Sequence, residues 1–550
     1  MTGPFIAREK VHQCPSCFQI FVSVALLNLV QSRCNVAFDL LVFVGRALFQ
    51  RYRTTSEVCI ELLARNVRLS ASEVIYLGRK FISYLAIGHR LATPRIRQNM
   101  KLVGGYVLHL DATHNGDAPV LMTSMDSLSK IVLTNAKVPS EHADYIVPFL
   151  QKVQSDYGTP IACVHDMGRG ICGAVTDVFP GIHDFICHFH FLRDIGKDFL
   201  EPAYRELRNC LRTHTASSRL HALVRETRVS LSEQSAEAEL LATAINGTVP
   251  LKDAASLPMA AAYSLALWTL QGKKSGDGYG FPFDRPLLEF ACRLLEINSQ
   301  VPDLLDQCAS SGQCDNKPLV KLAKIASDVA KDAVLRKAVE ELSWRSIVFD
   351  RLREAMRIAP VGGKHGLNDD GTEQAMTTIR QCVERFRREL DIEPELANDR
   401  LCIKMAQQID KYYDKLFADP IEVETPNGTV IIYPQRTNNI LEQFFRGVRR
   451  GHRRKTGNNS MSRTLQAMLA DTPLVKNLDN PEYVKILLNG KGSLEELFAE
   501  IASMRETTAD ELETDTVRIL PGFKTLIKMS TLPDQVVRLF REQANRGKSN

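Results

Sequence analysis

At 550 residues, 44% hydrophobic and 24% charged, the chain has the balance of a globular protein and a length that suits roughly three or four domains, which excludes a disordered or fibrous polymer. Its net charge of +5 is modest, so any nucleic-acid surface must show as local clusters and not as a global excess. Thirteen cysteines, scattered and odd in number, are unlike a secreted disulfide framework and point to a reducing cytoplasm.

Residues 1–38 open with Cys14-Pro15-Ser16-Cys17, which has the spacing of a zinc knuckle but only half its ligands. His12 and Cys34 are the obvious further donors, so Cys14 and Cys17 are either half of a Zn²⁺ site or free thiols in a loop. The apolar run Phe18–Val30 is interrupted by Gln19, Ser23 and Asn28 and is too short to span a bilayer, so neither a signal peptide nor a membrane partner is expected.

Residues 39–100 read as helical. Asp39–Gln50 carries Leu40, Leu41, Val44 and Leu48 at helical spacing. Two capping boxes follow, Thr54-Thr55-Ser56-Glu57 and Ser70-Ala71-Ser72-Glu73, each pairing a hydroxyl with a glutamate three residues on. Three helices with a tight turn before the third match a helix-turn-helix, whose last helix would offer Arg79 and Lys80 to DNA. An ordinary helical bundle with two good caps is the alternative.

Residues 101–199 change period. Val107–Leu110 leads into Asp111; Val120–Met125 and Ile131–Asn135 are short β runs; His142–Tyr157 is an amphipathic helix. Ile161–Val164 then leads to His165-Asp166, Gly173–Val178 is helical, and Phe185–Cys187 is a last short strand. This order predicts a mixed α/β sheet with helices on its faces. Cys187 and His190 have Cys-x-x-His spacing, half of a zinc site; otherwise they are a buried cysteine at a strand end and a histidine opening a helix. If the strand persists, His188 and His190 share a face.

From residue 200 to about 415 the pattern is helical, with loops at Gly276–Asp284, Ala309–Lys317 and Ala359–Gly371. Residues 416–470 begin with Ile421–Thr425 and Thr429–Tyr433 around Pro426-Asn427-Gly428, a hairpin signal. Helix resumes at Ile440, and residues 471–550 form a helical appendage broken by Pro473, Pro481, Pro521 and Pro533.

Asp111 and Asp166, each following an apolar strand, would sit side by side at a sheet edge. With Glu442 they could hold two hard cations, Mg²⁺ or Mn²⁺, roughly 3.5–4 Å apart in the general two-metal geometry. Each aspartate has a simpler explanation as a strand-to-loop cap. Glu442 has one too: Asn439 and Glu442 stand at capping-box spacing. Beyond Glu442, however, Arg446, Arg449, Arg450, Arg453, Arg454 and Lys455 crowd one helix, the first four on a single face. That face suits DNA phosphates, and a solvated basic helix end is the plainer alternative.

Taken together, Leu110-Asp111-Ala112-Thr113-His114, Val164-His165-Asp166, Cys187-His188-Phe189-His190-Phe191-Leu192-Arg193 and Thr437-Asn438-Asn439 ahead of Glu442 resemble the DDE transposases, especially Mutator-like elements and related bacterial insertion sequences. The resemblance implies an RNase H-like core interrupted by a large all-helical insertion, with Asp111, Asp166 and Glu442 as catalytic metal ligands and Cys187 and His190 in support. It implies DNA as partner, both element terminal repeats and target DNA, and a homodimer or higher synaptic assembly. The compartment would be the nucleoid-associated cytoplasm of a bacterium or the nucleus of a eukaryote. A non-catalytic, transposase-derived DNA-binding regulator or scaffold is the alternative. Such transposases often start with a zinc ribbon; only one knuckle is present here.

Overall fold

The computed structural model describes residues 4–8, 10–21, 24–31, 34–231, 236–246, 257–310, 316–359, 376–507, 529, 531–532 and 535–538. Pro521 and Pro533, most of the expected loops at 309–317 and 359–371, and nearly all of the appendage beyond Thr507 lie outside these residues. Contacts divide the chain into a large unit, Asp39–Leu494, and a small one drawn from Ala7–Phe38 and Glu495–Asn550.

In the small unit, strands β1 (His12–Gln13) and β2 (Ile20–Phe21) pair antiparallel around the cysteine pair. The Cys14 N–H donates to the Gln19 carbonyl at 2.8 Å, and the Phe18 N–H returns to Cys14 at 2.9 Å. The knuckle is therefore a formed hairpin turn and not a loose loop. Backbone N–H groups of Cys17 and Ser16 are directed at the Cys14 sulfur and draw its pKa down.

The large unit begins with α1 (Phe38–Gly45), which widens into a π-helical turn, Arg46–Gln50. Helices α2 (Thr55–Leu63) and α3 (Ala71–Leu102) both start at complete capping boxes. The Thr54 N–H donates to Glu57 and the Ser70 N–H to Glu73, both at 2.7 Å. Helix α3 is much longer than a recognition helix, and its second half is structural. There His89 is buried, with Nε2 donating to the Leu133 carbonyl and Nδ1 accepting from the Tyr483 hydroxyl, each at 2.9 Å.

The sheet follows: β3 (Val107–Thr113), β4 (Val120–Asp126), β5 (Ile131–Val138), helix α4 (Ala143–Tyr157), β6 (Ala162–His165), helix α5 (Arg169–Val178) and β7 (His183–Ile186). Its spatial order is β5-β4-β3-β6-β7, antiparallel among the first three strands and parallel from β3 through β7. The fold is thus mixed α/β with a five-stranded mixed sheet and extensive helical regions. The β4–β5 turn is fastened by Asp126, whose buried carboxylate accepts from the Leu128 and Ser129 amides and, across to the start of β3, from the Val107 amide.

Helix α6 (His188–Thr213) leaves directly from β7, so the expected start of the helical region at Leu200 lies inside it. Among the helices that follow are α7 (Ala333–Met356) and α8 (Arg400–Leu416). They share one apolar core with the sheet, joining Val107, Val164 and Phe185 to Phe191, Phe349 and Ile409. Strands β8 (Ile421–Thr425) and β9 (Gly428–Ile432) make the expected hairpin with a different turn. Thr425 pairs with Gly428, leaving Pro426-Asn427 as the loop, and Gly428 opens β9 at a φ of 113° that suits glycine. Helix α9 (Asn439–Thr456) carries Glu442 and the arginines. Among the described residues no helix is long and apolar enough to cross a membrane.

Candidate active site

The parallel ladder between β3 and β6 pairs Val107 with Ala162, Leu108 with Cys163 and His109 with Val164. Beyond that ladder, Asp166 just past β6 lies near enough to Asp111 that its charge raises the Asp111 pKa. Asp111 does not end its strand, as the sequence suggests, but lies within it, paired with Thr123 on the β4 side. Asp166 does follow the last residue of β6, and its Oδ1 accepts the Gly168 N–H at 3.0 Å in the turn leading to α5.

Glu442 reaches this edge of the sheet because α9 is tied to it. The helix begins at Asn439 with Asn438 as its cap and no side-chain capping hydrogen bond, so the expected capping box of Asn439 and Glu442 does not form. The Asn438 side chain turns to β3 instead. Its Nδ2 donates to the Leu110 carbonyl at 2.7 Å, its Oδ1 accepts from His109 Nδ1 at 3.0 Å, and its backbone N–H donates to Cys187 Sγ at 3.1 Å. Asn438 and His109 are both completely buried. Burial lowers the His109 pKa to about 4, which keeps the ring neutral.

Cys187 caps α6, so β7 ends before it and the shared face expected for His188 and His190 is lost. Two positions apart on a helix, the rings point to different sides. His188 donates to the Leu416 carbonyl and accepts from Arg436 Nη1 at 3.3 Å; Arg436 also donates to the Met356 carbonyl at 2.8 Å, near the end of α7. His190 Nε2 lies 3.4 Å from Glu442 Oε1, while its buried Nδ1 has no hydrogen-bond partner among the described residues. Burial and the nearby Arg193 lower the His190 pKa to about 4, against the opposing charge of Asp166. Burial raises the Cys187 thiol to about 12, so its sulfur acts here as an acceptor for the α9 cap.

The acids are crowded. Burial raises the Asp111 pKa to about 7, opposed by the Ala112 N–H and reinforced by the negative charges of Asp166, Glu442 and Glu141. Glu141, which no sequence motif marks, is itself raised by burial and by Asp166. It stands close because Gly170 in the first turn of α5 has no side chain: a Cβ there would lie 2.0 Å from the Glu141 carbonyl oxygen. A second unforeseen device lies behind Asp166. His165, fully buried, donates from Nδ1 to the Asp166 carbonyl and from Nε2 to Asp184 Oδ1, each at 2.6 Å, and Lys415 also pairs with Asp184. Burial disfavours the His165 charge, but the bond to Asp184 outweighs it and raises the pKa to about 10.

The all-oxygen donor set suits a hard divalent cation, and the mutual repulsion felt by Asp111 is what such a cation would offset. The carboxylates share this edge without being drawn tightly together: among the described residues, no group of three or more His, Cys, Asp or Glu side chains is arranged to hold a metal. Cys14 and Cys17 likewise belong to no such group among the described residues and are free thiols.

Arg446, Arg449, Arg450, Arg453 and Arg454 are exposed along α9. Lys455 departs from the expected basic surface. It falls on the opposite side of the helix, half-buried, with Nζ 5.9 Å from the Phe49 ring centroid. On α3, Arg79 is exposed, whereas Lys80 is half-buried with Nζ 5.6 Å from the Tyr84 ring. Compared with protein-family models and with curated proteins, the chain matches none.

Proposed function

We propose that the chain is a DDE-type DNA transposase with an RNase H-like core, in which Asp111, Asp166 and Glu442 hold Mg²⁺ or Mn²⁺. One observation carries the reading: Asp111 within β3 and Asp166 just past the end of the adjacent parallel strand β6 lie near a glutamate from a basic helix anchored to β3, close enough that both raise the Asp111 pKa. The strand order, three antiparallel strands followed by two parallel ones reached through helices, supports the same reading.

When bound, the cations would activate the attacking water or 3′ hydroxyl and stabilise the leaving oxygen. The chain's own groups do the positioning. Asn438 fixes α9 to β3, so Glu442 keeps its place beside Asp111. Neutral His190 packs against Glu442, and the His165–Asp184 pair holds the Asp166 main chain. The exposed arginines next to Glu442 would neutralise phosphates flanking the scissile bond. Cleavage at element ends and joining to a target require two ends together, hence a dimer or higher synaptic assembly with DNA.

The second reading, a transposase-derived DNA-binding regulator, is favoured by the absence, among the described residues, of a tightly gathered ligand group. A supercoiled plasmid carrying the element ends, incubated with protein and Mg²⁺ or Mn²⁺, separates the two. The transposase reading expects nicking and strand transfer that disappear in Asp166→Ala protein. Cleavage surviving that substitution would reject the site, and end binding without cleavage by the unmutated protein would favour the regulator.

A further inference from the structure

Helix α9 has a second face. Opposite Glu442 and the arginines it forms one wall of a cleft of about 960 Å³, closed elsewhere by the Leu48–Tyr52 segment, the Ser129–Lys130 turn and residues between Met461 and Pro481. A volume of this order suits a small organic ligand. The lining is mainly apolar, with Phe49, Phe444 and Met468 among its walls.

Two glycines one turn apart stand on this face of α9, and they differ in what surrounds them. A Cβ at Gly451 would lie 2.1 Å from the Tyr52 ring, so the chain itself fills that gap. A Cβ at Gly447 would meet nothing within 4 Å. Glycine inside a helix is destabilising relative to alanine, and at Gly447 no neighbour among the described residues uses the space it leaves.

The same wall carries a cation. Lys455 is half-buried beside Phe49, and among the described residues no carboxylate lies within ion-pair distance of it. Burial of the ammonium lowers its pKa, as expected for a charge that lacks a counterion. Asp479, also in the cleft wall, is already engaged by Lys476 and by Gln50 Nε2 at 3.0 Å.

We propose that this cleft binds an amphiphilic monoanion, its carboxylate against Lys455 and its apolar body along Phe49, Phe444 and the gap at Gly447. A single unmatched lysine suits a single negative charge, and the apolar walls suit an acyl or aryl body of cleft size. The site is separate from the carboxylate edge and does not depend on the transposase reading.

The test uses the full chain and the fluorescent aryl sulfonate 8-anilinonaphthalene-1-sulfonate, with decanoate and decanol as competitors. The proposal expects one saturable probe site per chain, displaced by decanoate at least tenfold more effectively than by decanol. Lys455→Gln should weaken probe binding at least tenfold. Gly447→Leu should fill the gap and abolish binding while leaving the thermal midpoint at or above that of the parent. Unchanged affinity in both variants, or several weak sites in the parent, would overturn the proposal. Equal displacement by decanol and decanoate would overturn its anionic half.

Discussion

Replacing Asn438 by alanine should loosen α9 from β3. The substitution deletes two buried hydrogen bonds and strands their partners, His109 Nδ1 and the Leu110 carbonyl, in a site with no exposure. Each net bond is worth about 1 kcal/mol, and an orphaned buried group costs about 1–3 kcal/mol, so a loss of about 3 kcal/mol is expected. Against a total stability on the order of 5–15 kcal/mol, the protein should remain folded. Glu442 stands one helical turn from Asn438, so a slackened cap should move it, and a displacement of ~1 Å can cost about 100-fold in rate. Urea denaturation followed by circular dichroism measures the first effect, and plasmid cleavage in Mg²⁺ measures the second. Asn438→Asp should be at least as damaging, because it sets a carboxylate oxygen against the Leu110 carbonyl. A stability change under about 0.5 kcal/mol in Asn438→Ala protein, well below what stranded buried groups cost, would refute the anchoring role.

Three further outcomes follow from the same geometry. Asp111 has its folded pKa raised from its ordinary 3.8 to about 7, so without added metal its ionisation opposes folding as pH rises through that window. Asp111→Asn protein should therefore be more stable than the parent at pH 8 in chelator and should lose part of the stability decline between pH 4 and 7; equal denaturation curves would contradict this. His165 is shifted upward from 6.5 to about 10, so its contribution is complete below pH 6.5 and lost as pH rises through 10. Asp184→Asn leaves that imidazolium buried beside a neutral amide and should cost about 3–5 kcal/mol at pH 6, read by thermal denaturation. On α9, replacing Arg446, Arg449, Arg450 and Arg453 together by alanine should reduce the slope of log affinity against log salt by about 0.9 per lost phosphate contact; an unchanged slope in DNA-binding titrations would remove that face from the interface.

What the sequence made legible was local. Both capping boxes formed as read, because Thr54 with Glu57 and Ser70 with Glu73 satisfy each other within one turn. The strand runs were also readable, with small errors at the ends: Ile131–Asn135 extends to Val138, and Asp111 falls inside β3. Errors grew where an element boundary decided the side-chain direction. The shared face of His188 and His190 required β7 to continue past Ile186, and Cys187 starts a helix there instead. The capping-box explanation of Glu442 failed for a similar reason, since α9 starts at Asn439 and not after it.

The ties that build the site were not readable at all. Asn438 meets His109 and Leu110 across more than three hundred positions, and neither periodicity nor composition records such a pairing. Glu141 looks like any acid ahead of an amphipathic helix; only the close approach permitted by Gly170 brings it near Asp166. Lys455 shows the opposite failure. It belongs to a run of cations in sequence, yet helical geometry turns it away from the arginine face and into an apolar wall.

Divalent-metal binding at the carboxylate edge is the most direct test of the site. A Mn²⁺ titration followed by electron paramagnetic resonance should show saturable binding to the intact chain that is lost in both Asp111→Asn and Asp166→Asn proteins, each still folded by circular dichroism. Binding that is equal in all three proteins, or absent from the unmutated chain, would contradict the assignment of Asp111, Asp166 and Glu442.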